Sequence, residues 1–316
     1  MPSVTTLFDQ TKPKTPVFFF SHGGPTFMYP DEEFGSDKGA YKTVKKLGHY
    51  IINVIKPKFI IVISAHWESN SFNSGVDIGI PGSQSSLSKN SKKLDKDEID
   101  LIYDFGGFPD YMYEEQFHSK GNLELANDIK TTLANNKIDS KLTKRGLDHG
   151  VWVPFKVAFS SNKPKDQEWD LEMPLVQISL PGTDDFNTNY ELGKALSKYR
   201  ELGGVIICSG MSVHNLRDFR AAMGKGSSSP MPYVKPFSEK VKSIVTEYNG
   251  VERLNKFNEL VQNDKKLLYD AHPSLEHFMP IVVASGAGDE ELAKQVYDNH
   301  VKSLAWGIYQ FGEYKE

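Results

Sequence analysis

The chain has 316 residues, 39% of them hydrophobic and 25% charged, with a formal net charge of -4. That length buries a substantial core, and the charge balance offers no overall basic face for nucleic acid. No apolar run approaches the roughly 20 residues of a membrane-spanning helix. The polar stretch Met1 to Pro16 reads as neither a signal peptide nor a transit peptide. The single cysteine, Cys208, lies inside an apolar run and excludes an intrachain disulfide. A reducing, cytoplasmic setting is the expectation.

Pro16 to Ser21 reads as a first strand, from which His22-Gly23-Gly24-Pro25 turns sharply away. Two glycines permit positive φ there, and close approach of backbone to a ligand. Asp31 to Lys38 is a polar loop. Ala40 to Ile55 has apolar positions at helical spacing, and Pro57 ends it. Phe59 to Glu68 is a continuous apolar run, the pattern of a strand covered on both faces in a parallel sheet. It stops at His66 and Trp67, and ligands bind at the carboxyl ends of such strands. Ser83 to Lys96 is rich in serine and lysine and reads as a mobile surface insertion.

Tyr103 to Tyr111 packs aromatics around Gly106-Gly107 and Pro109, which predicts a shaped loop. Leu123 to Asn135 is an amphipathic helix, and Lys141 to Arg145 is short and exposed. His149 stands between Asp148 and Gly150, just before an apolar segment. Met173 to Leu180 is another buried strand, closed by Pro181-Gly182. Tyr190 to Leu202 is a helix stopped by Gly203-Gly204. It leads into the strand Val205 to Cys208, which ends near His214; were the two strands parallel neighbours, the connection would be a right-handed crossover. Arg220 to Pro236 reads as a second surface loop, and Ser238 to Tyr248 and Arg253 to Tyr269 as helices. His272 to His277 precedes an apolar segment ending at Gly286, and the tail from Glu290 to Tyr309 reads as helical. No internal repeat or domain boundary interrupts the 316 residues, so a single domain is expected.

Three predicted strands thus each deliver a histidine near their carboxyl end: His22, His66 and His214. With His149 and His277 they make five of the nine histidines, while His49, His118 and His300 lie in helical or polar surroundings. No two of the five form a local metal motif, so the fold must assemble any site. Imidazoles suit zinc, iron, copper and nickel, and three of them leave coordination positions open. Buried, hydrogen-bonded core histidines are the competing explanation. On a regular helix His272 and His277 would project about 140° apart, so both are not expected to face one ion. His277 is preferred as ligand, with His272 holding the turn.

Six segments occur in order: Ser21-His22-Gly23-Gly24-Pro25, Ser64-Ala65-His66-Trp67, Tyr103-Asp104-Phe105 with Gly107-Phe108-Pro109, Leu147-Asp148-His149-Gly150, Val213-His214-Asn215, and His272-Pro273 with Glu276-His277. Together they resemble the class III extradiol ring-cleavage dioxygenases (LigB-like), in the branch similar to 4,5-DOPA dioxygenase, from about residue 16 to about residue 288. The resemblance implies a three-layer α/β/α sandwich around a mostly parallel sheet. It also implies an iron(II) site, with zinc possible, and opening of a catechol ring with O2. By the same resemblance, the metal ligands are His22, His66 and His277, with Glu276 as a carboxylate fallback and His214 as a possible fourth ligand. His214 matches the acid/base and His149 a second histidine beside the substrate. Trp67, Phe105, Phe108, Tyr111 and Trp152 are candidate walls for a flat ring. Gly106 departs from the family, where an aromatic is common. A zinc hydrolase on the same scaffold and a non-catalytic Memo-like protein are the alternatives. Partners are then a small aromatic substrate and O2, with no nucleic acid and no membrane.

Overall fold

The computed structural model describes residues 13–32, 34–82, 96–160, 168–224 and 229–315. Its centre is a sheet in which β1 (Val17–Ser21), β2 (Phe59–Glu68), β5 (Leu175–Leu180) and β6 (Gly204–Gly210) run parallel in the order β5-β2-β6-β1. Alternate residues along these strands point into two separate apolar cores. Val17, Phe19, Ile61, Ile63 and Ile206 face one; Phe18, Phe20, Ile60, Val62, Val205 and Ile207 face the other. Burial on both faces explains why the strands read as unbroken apolar runs, not as alternating ones.

Helices cover both faces. On one side lie α1 (Lys38–Tyr50) and α3 (His149–Phe159). On the other are α2 (Leu123–Asn135), α4 (Phe186–Leu196), α7 (Val234–Glu247), α8 (Gly250–Asn263) and α10 (Met279–Ala287). The three-layer arrangement expected from the sequence is present. α1 runs on into a π-turn, Ile51–Ile55, and ends where Lys56 takes a left-handed conformation ahead of Pro57. Asp185 caps α4 by accepting from Thr188 N at 2.7 Å, so the helix starts earlier than Tyr190. It breaks at Ser197, before the short α5 (Lys198–Glu201).

α4 and α10 cross without side chains between them at two points. A Cβ on Gly286 would lie 1.9 Å from Tyr190 O, and one on Gly193 would lie 2.0 Å from Val283 O. Gly286→Ala is therefore expected to destabilise the protein by about 1–3 kcal/mol through overpacking, measured by chemical denaturation. A neutral result would contradict the close crossing.

Several expectations are corrected. β5 and β6 are not neighbours: both pair with β2, one on each side, so the α4 connection passes over β2. Lys141 to Arg145 belongs to an edge strand, β4 (Ser140–Lys144), paired with β3 (Val76–Ile80), which sequence reading missed. The tail is not helical. It forms β8 (Ala293–Tyr297), β9 (His300–Val301), β10 (Leu304–Ala305) and β11 (Ile308–Phe311). β11 pairs antiparallel with β1 and closes an edge that would otherwise be unpaired, a tertiary demand invisible in local periodicity. Arg220 to Pro236 is not wholly loop, since α6 (Leu216–Gly224) overlaps its start and α7 begins at Val234; residues 225–228 lie outside the described set. Most of the Ser83–Lys96 insertion also lies outside it. The helix expected over Arg253–Tyr269 is two, α8 and α9 (Lys265–Ala271). No described helix is long and apolar enough to cross a membrane.

Candidate metal centre

The carboxyl ends of β1, β2 and β6 share one edge of the sheet, and the five histidines sit beside it on different elements. His22 follows β1 directly, its N–H donating to Gly210 O at 3.0 Å. Gly23 then turns the chain with φ 64°, and a Cβ there would lie 2.2 Å from the Trp306 ring. His66 lies within β2 where the register with β5 shifts, between Ile63 and Glu68. Such an irregularity re-aims a strand side chain, which is how a residue inside a buried strand comes to face a cavity. His214 is on β7 (Val213–His214), which pairs with β10 beyond the turn that ends β6. His149 opens α3. His277 lies in the turn before α10, whose carbonyl accepts from Met211 N at 3.0 Å.

All five histidines line a single cavity of about 660 Å³. The rings of His66 and His149 are 4.0 Å apart between centroids, and those of His22 and His66 5.1 Å. His277 lies 4.9 Å from His66 and 5.4 Å from His22 by the same measure. His214 stacks on His277 at 3.6 Å, 14° from parallel. Ring nitrogens of His22, His66 and His149 fall within 4.8 Å of one another, as do ligand atoms of His214, Glu276 and His277.

Oxygen neighbours at Nδ1 orient three of the rings in the same sense. The Ser209 hydroxyl donates to Gly150 O, so toward His22 Nδ1, 3.0 Å away, it must accept. His22 therefore carries its proton on Nδ1 and leaves Nε2 bare. His66 Nδ1 faces Asp104 Oδ2 at 3.4 Å, and His277 Nδ1 faces Glu276 Oε1 at 2.9 Å. For His22 and His277 the oxygen holds Nδ1 and frees Nε2, the arrangement that outer partners impose on metal-ligating histidines, and the Asp104 carboxylate beside His66 Nδ1 favours the same tautomer there. His22 Nε2 and His66 Nε2 then meet at 3.1 Å. Two bare nitrogens at that distance repel unless a proton or cation lies between or beside them. Two nitrogens each about 2.1 Å from one ion, at angles between 90° and 110°, would sit roughly 3.0–3.4 Å apart. The donor set thus fits a divalent cation that accepts imidazole.

Burial, reinforced by the neighbouring histidines, holds His22, His66 and His277 well below the ordinary histidine value. For His66, Asp104 partly opposes that shift. Burial also lowers His214, to about 4, against the opposing pull of Glu276. His272, wholly enclosed and bonded through Nε2 to Ser212 O at 3.1 Å, is lowered by burial to about 3. These groups are neutral at pH 7 and present lone pairs.

Unfolded, these histidines take protons near 6.5, so below that pH the unfolded chain binds more protons than the native one. Stability is then full above about pH 6.5 and falls with acidification, by up to about 1.4 kcal/mol per pH unit for each group. Metal-free protein should therefore lose thermal stability steeply between roughly pH 6.5 and 4. A melting temperature constant over that range would contradict neutral, buried imidazoles.

Asp104 is the residue that sequence reading passed over. It lies between Tyr103 and Phe105 in the aromatic loop, where no local pattern marks it. Its Oδ1 accepts from His149 N at 2.8 Å, capping α3 from outside the helix. The same oxygen lies 2.9 Å from His149 Nδ1, off the line of a good hydrogen bond, while Oδ2 faces His66. Burial disfavours its charge, but the hydrogen bond and charge of His149 outweigh this and hold its carboxyl below the usual range. Asp148, the α3 N-cap residue, is occupied elsewhere. Its buried carboxylate accepts from Ser64 Oγ (2.6 Å), Gln177 Nε2 (2.6 Å) and Arg145 Nη1 (2.9 Å), while Arg145 Nη2 donates to His66 O (3.1 Å). This network clamps the end of β2 to the start of α3.

Of the expected aromatic walls, Phe105, Phe108 and Tyr111 line the cavity. Trp67 and Trp152 do not. Trp152 is fully enclosed, with Nε1 donating to Ile102 O at 3.1 Å. Trp67 lies under the Arg145 guanidinium, 4.6 Å from its ring centre. Both indoles pack the scaffold beneath the site. Phe34 and Phe219, not foreseen, complete the aromatic lining; Phe34 packs against Phe219 at 5.5 Å and Phe108 at 5.9 Å. His272 is placed behind the site, where it holds the turn leading to His214.

Residues 16–310 match the family described as the catalytic LigB subunit of aromatic ring-opening dioxygenase, and the chain belongs to that family. Within it, the chain is 33% identical over 294 residues to a 4,5-DOPA dioxygenase extradiol-like protein of Schizosaccharomyces pombe, covering 90% of this chain and 88% of the relative. A 4,5-DOPA dioxygenase extradiol of Beta vulgaris is 32% identical over 301 residues, 95% of each chain. An uncharacterized Escherichia coli K12 protein of known structure superposes with a TM-score of 0.67 at 24% identity, over 94% of this chain and 99% of that one, and shares the fold.

Proposed function

We propose that this protein is a metal-dependent extradiol dioxygenase that opens the ring of a catechol with O2. The observation that carries the reading is the convergence of five histidines on one aromatic-lined cavity in a chain of the ring-opening family. His22, His66 and His277 are the proposed ligands, because each has an oxygen beside Nδ1, which favours a bare Nε2. His149 is the rival third ligand, since its ring nitrogen groups with those of His22 and His66. Iron(II) is the expected ion, and zinc(II) is compatible with the same nitrogens.

Bound iron would supply O2 activation and a site for both catechol oxygens. The chain's own residues do the rest. Neutral imidazoles add no negative charge around the ion, so a catecholate anion is favoured there. His214, lowered to about 4, is unprotonated at pH 7 and placed to accept a phenolic proton as the substrate binds. His149, beside Asp104 and 4.0 Å from His66 between ring centroids, is a second polar contact for substrate. Phe105 and Phe108, packed edge to face at 5.7 Å, form an apolar wall for a flat ring and exclude water from that side. Tyr111 extends that wall outward.

The test is anaerobic reconstitution with iron(II), then oxygen uptake against a panel of catechols that includes DOPA, with the ring-opened chromophore followed in parallel. Stoichiometric oxygen consumption with ring opening is the expected result. Turnover of amide or ester substrates by zinc-loaded protein, without oxygen uptake on any catechol, would favour a hydrolase instead.

A further inference from the structure

The cavity is uneven in charge along its wall. The inner end holds imidazoles and the Asp104 carboxylate that sits against His149 and His66, and phenylalanines line the middle. Among the described lining residues one side chain is a permanent cation, Arg220. Its position follows from the local fold. Asn215 Oδ1 accepts from Asp218 N at 3.0 Å, capping the helix that starts immediately after His214. Leu216, Phe219 and Arg220, at spacings of three and four, share one face of α6, and all three line the cavity. The proton-accepting histidine and the arginine are thus joined by a capped helix turn, with Phe219 between them.

Arg220 is exposed and has no ion-pair partner among the described residues. Glu32 lines the same cavity from a different loop, also exposed, and does not pair with it. Space for a substituent is present as well: a Cβ on Gly106, in the aromatic loop, would meet nothing within 4 Å. Lys302, over the Phe219 ring at 5.2 Å, adds positive potential on that side.

We propose that Arg220 is the specificity-determining residue of this cavity and binds a carboxylate on the ring substituent of the substrate. The inference rests on the catechol reading above. A planar guanidinium pairs bidentately with a carboxylate, and an arginine with no ion-pair partner among the described residues gives up none of their ion pairs to do so. Glu32 serves the complementary role when the substituent also carries an ammonium group.

The test compares 3-(3,4-dihydroxyphenyl)propionate with 4-ethylcatechol, which lacks the carboxylate. Both are titrated anaerobically into iron(II)-loaded wild type, Arg220→Gln and Arg220→Lys, so that binding is read apart from turnover. Wild type should prefer the carboxylate, and Arg220→Gln should reduce that preference about three- to tenfold, with Arg220→Lys between the two. Added salt should erode the preference in wild type more than in Arg220→Gln. Position 220 is an exposed helix site, so folding should survive the change. An equal preference in wild type and Arg220→Gln overturns the inference, as does failure of wild type to bind either ligand. Oxygen uptake separates the two readings. A preference lost in Arg220→Gln without ring opening of any catechol would retain the anion site and reject the dioxygenase; ring opening with an unaltered preference would do the reverse.

Discussion

His277→Ala is expected to leave a folded protein that no longer retains metal after reconstitution and desalting, with ring-opening activity at background. The ring is anchored through Nδ1 by Glu276 at 2.9 Å, which leaves Nε2 unprotonated, and its centroid lies 4.9 Å from that of His66. Its loss removes a ligand, and affinity should fall by more than the roughly 10–100-fold cost of deleting an outer partner. Glu276→Gln supplies that smaller reference. It keeps a hydrogen-bonding side chain beside Nδ1 but removes the charge, and should weaken metal binding within the 10–100-fold range. Metal content by atomic spectroscopy decides the matter. Full occupancy in His277→Ala, with loss in His149→Ala instead, would transfer the third-ligand role to His149, whose ring is 4.0 Å from that of His66.

His214→Gln is expected to show the opposite pattern, with near-full metal occupancy and turnover lower by about 10²–10⁴-fold, the usual contribution of general acid–base catalysis. His214 stacks face to face on His277 at 3.6 Å, which places it beside the ligand set as a lid over one of its rings. A stacked imidazole offers its ring edge to substrate, and at about 4 its pKa leaves it a proton acceptor throughout the neutral range. Glutamine keeps polarity and much of the volume but takes no proton. Single-turnover measurements on metal-matched protein, together with metal analysis, separate the two roles. Loss of metal in His214→Gln would make His214 a fourth ligand and leave His149 as the proton acceptor.

The sequence by itself determined the α/β class and picked out the five histidines that line the cavity. β1, β2, β5 and β6 are buried on both faces, so their composition is nearly pure apolar and legible without any partner in view. Histidines are costly to bury, so His22 and His66 at the ends of such runs stood out against their surroundings. Elements defined by what they pair with were not legible. Ala293–Tyr297 and Ile308–Phe311 are strands because β1 needs a neighbour on its open edge, and their own residues fit a helix comparably well. The aromatic walls divided in the same way. Trp67 and Trp152 sit next to site histidines in sequence, but the β2 irregularity and the first turn of α3 turn them into the scaffold, while Phe34 and Phe219, distant in sequence, complete the cavity. Asp104 shows the limit most clearly. Hydrogen bonds to His149 and proximity to His66 depend on a loop folding across two other elements, and side-chain position in a loop is set by packing, not by local periodicity.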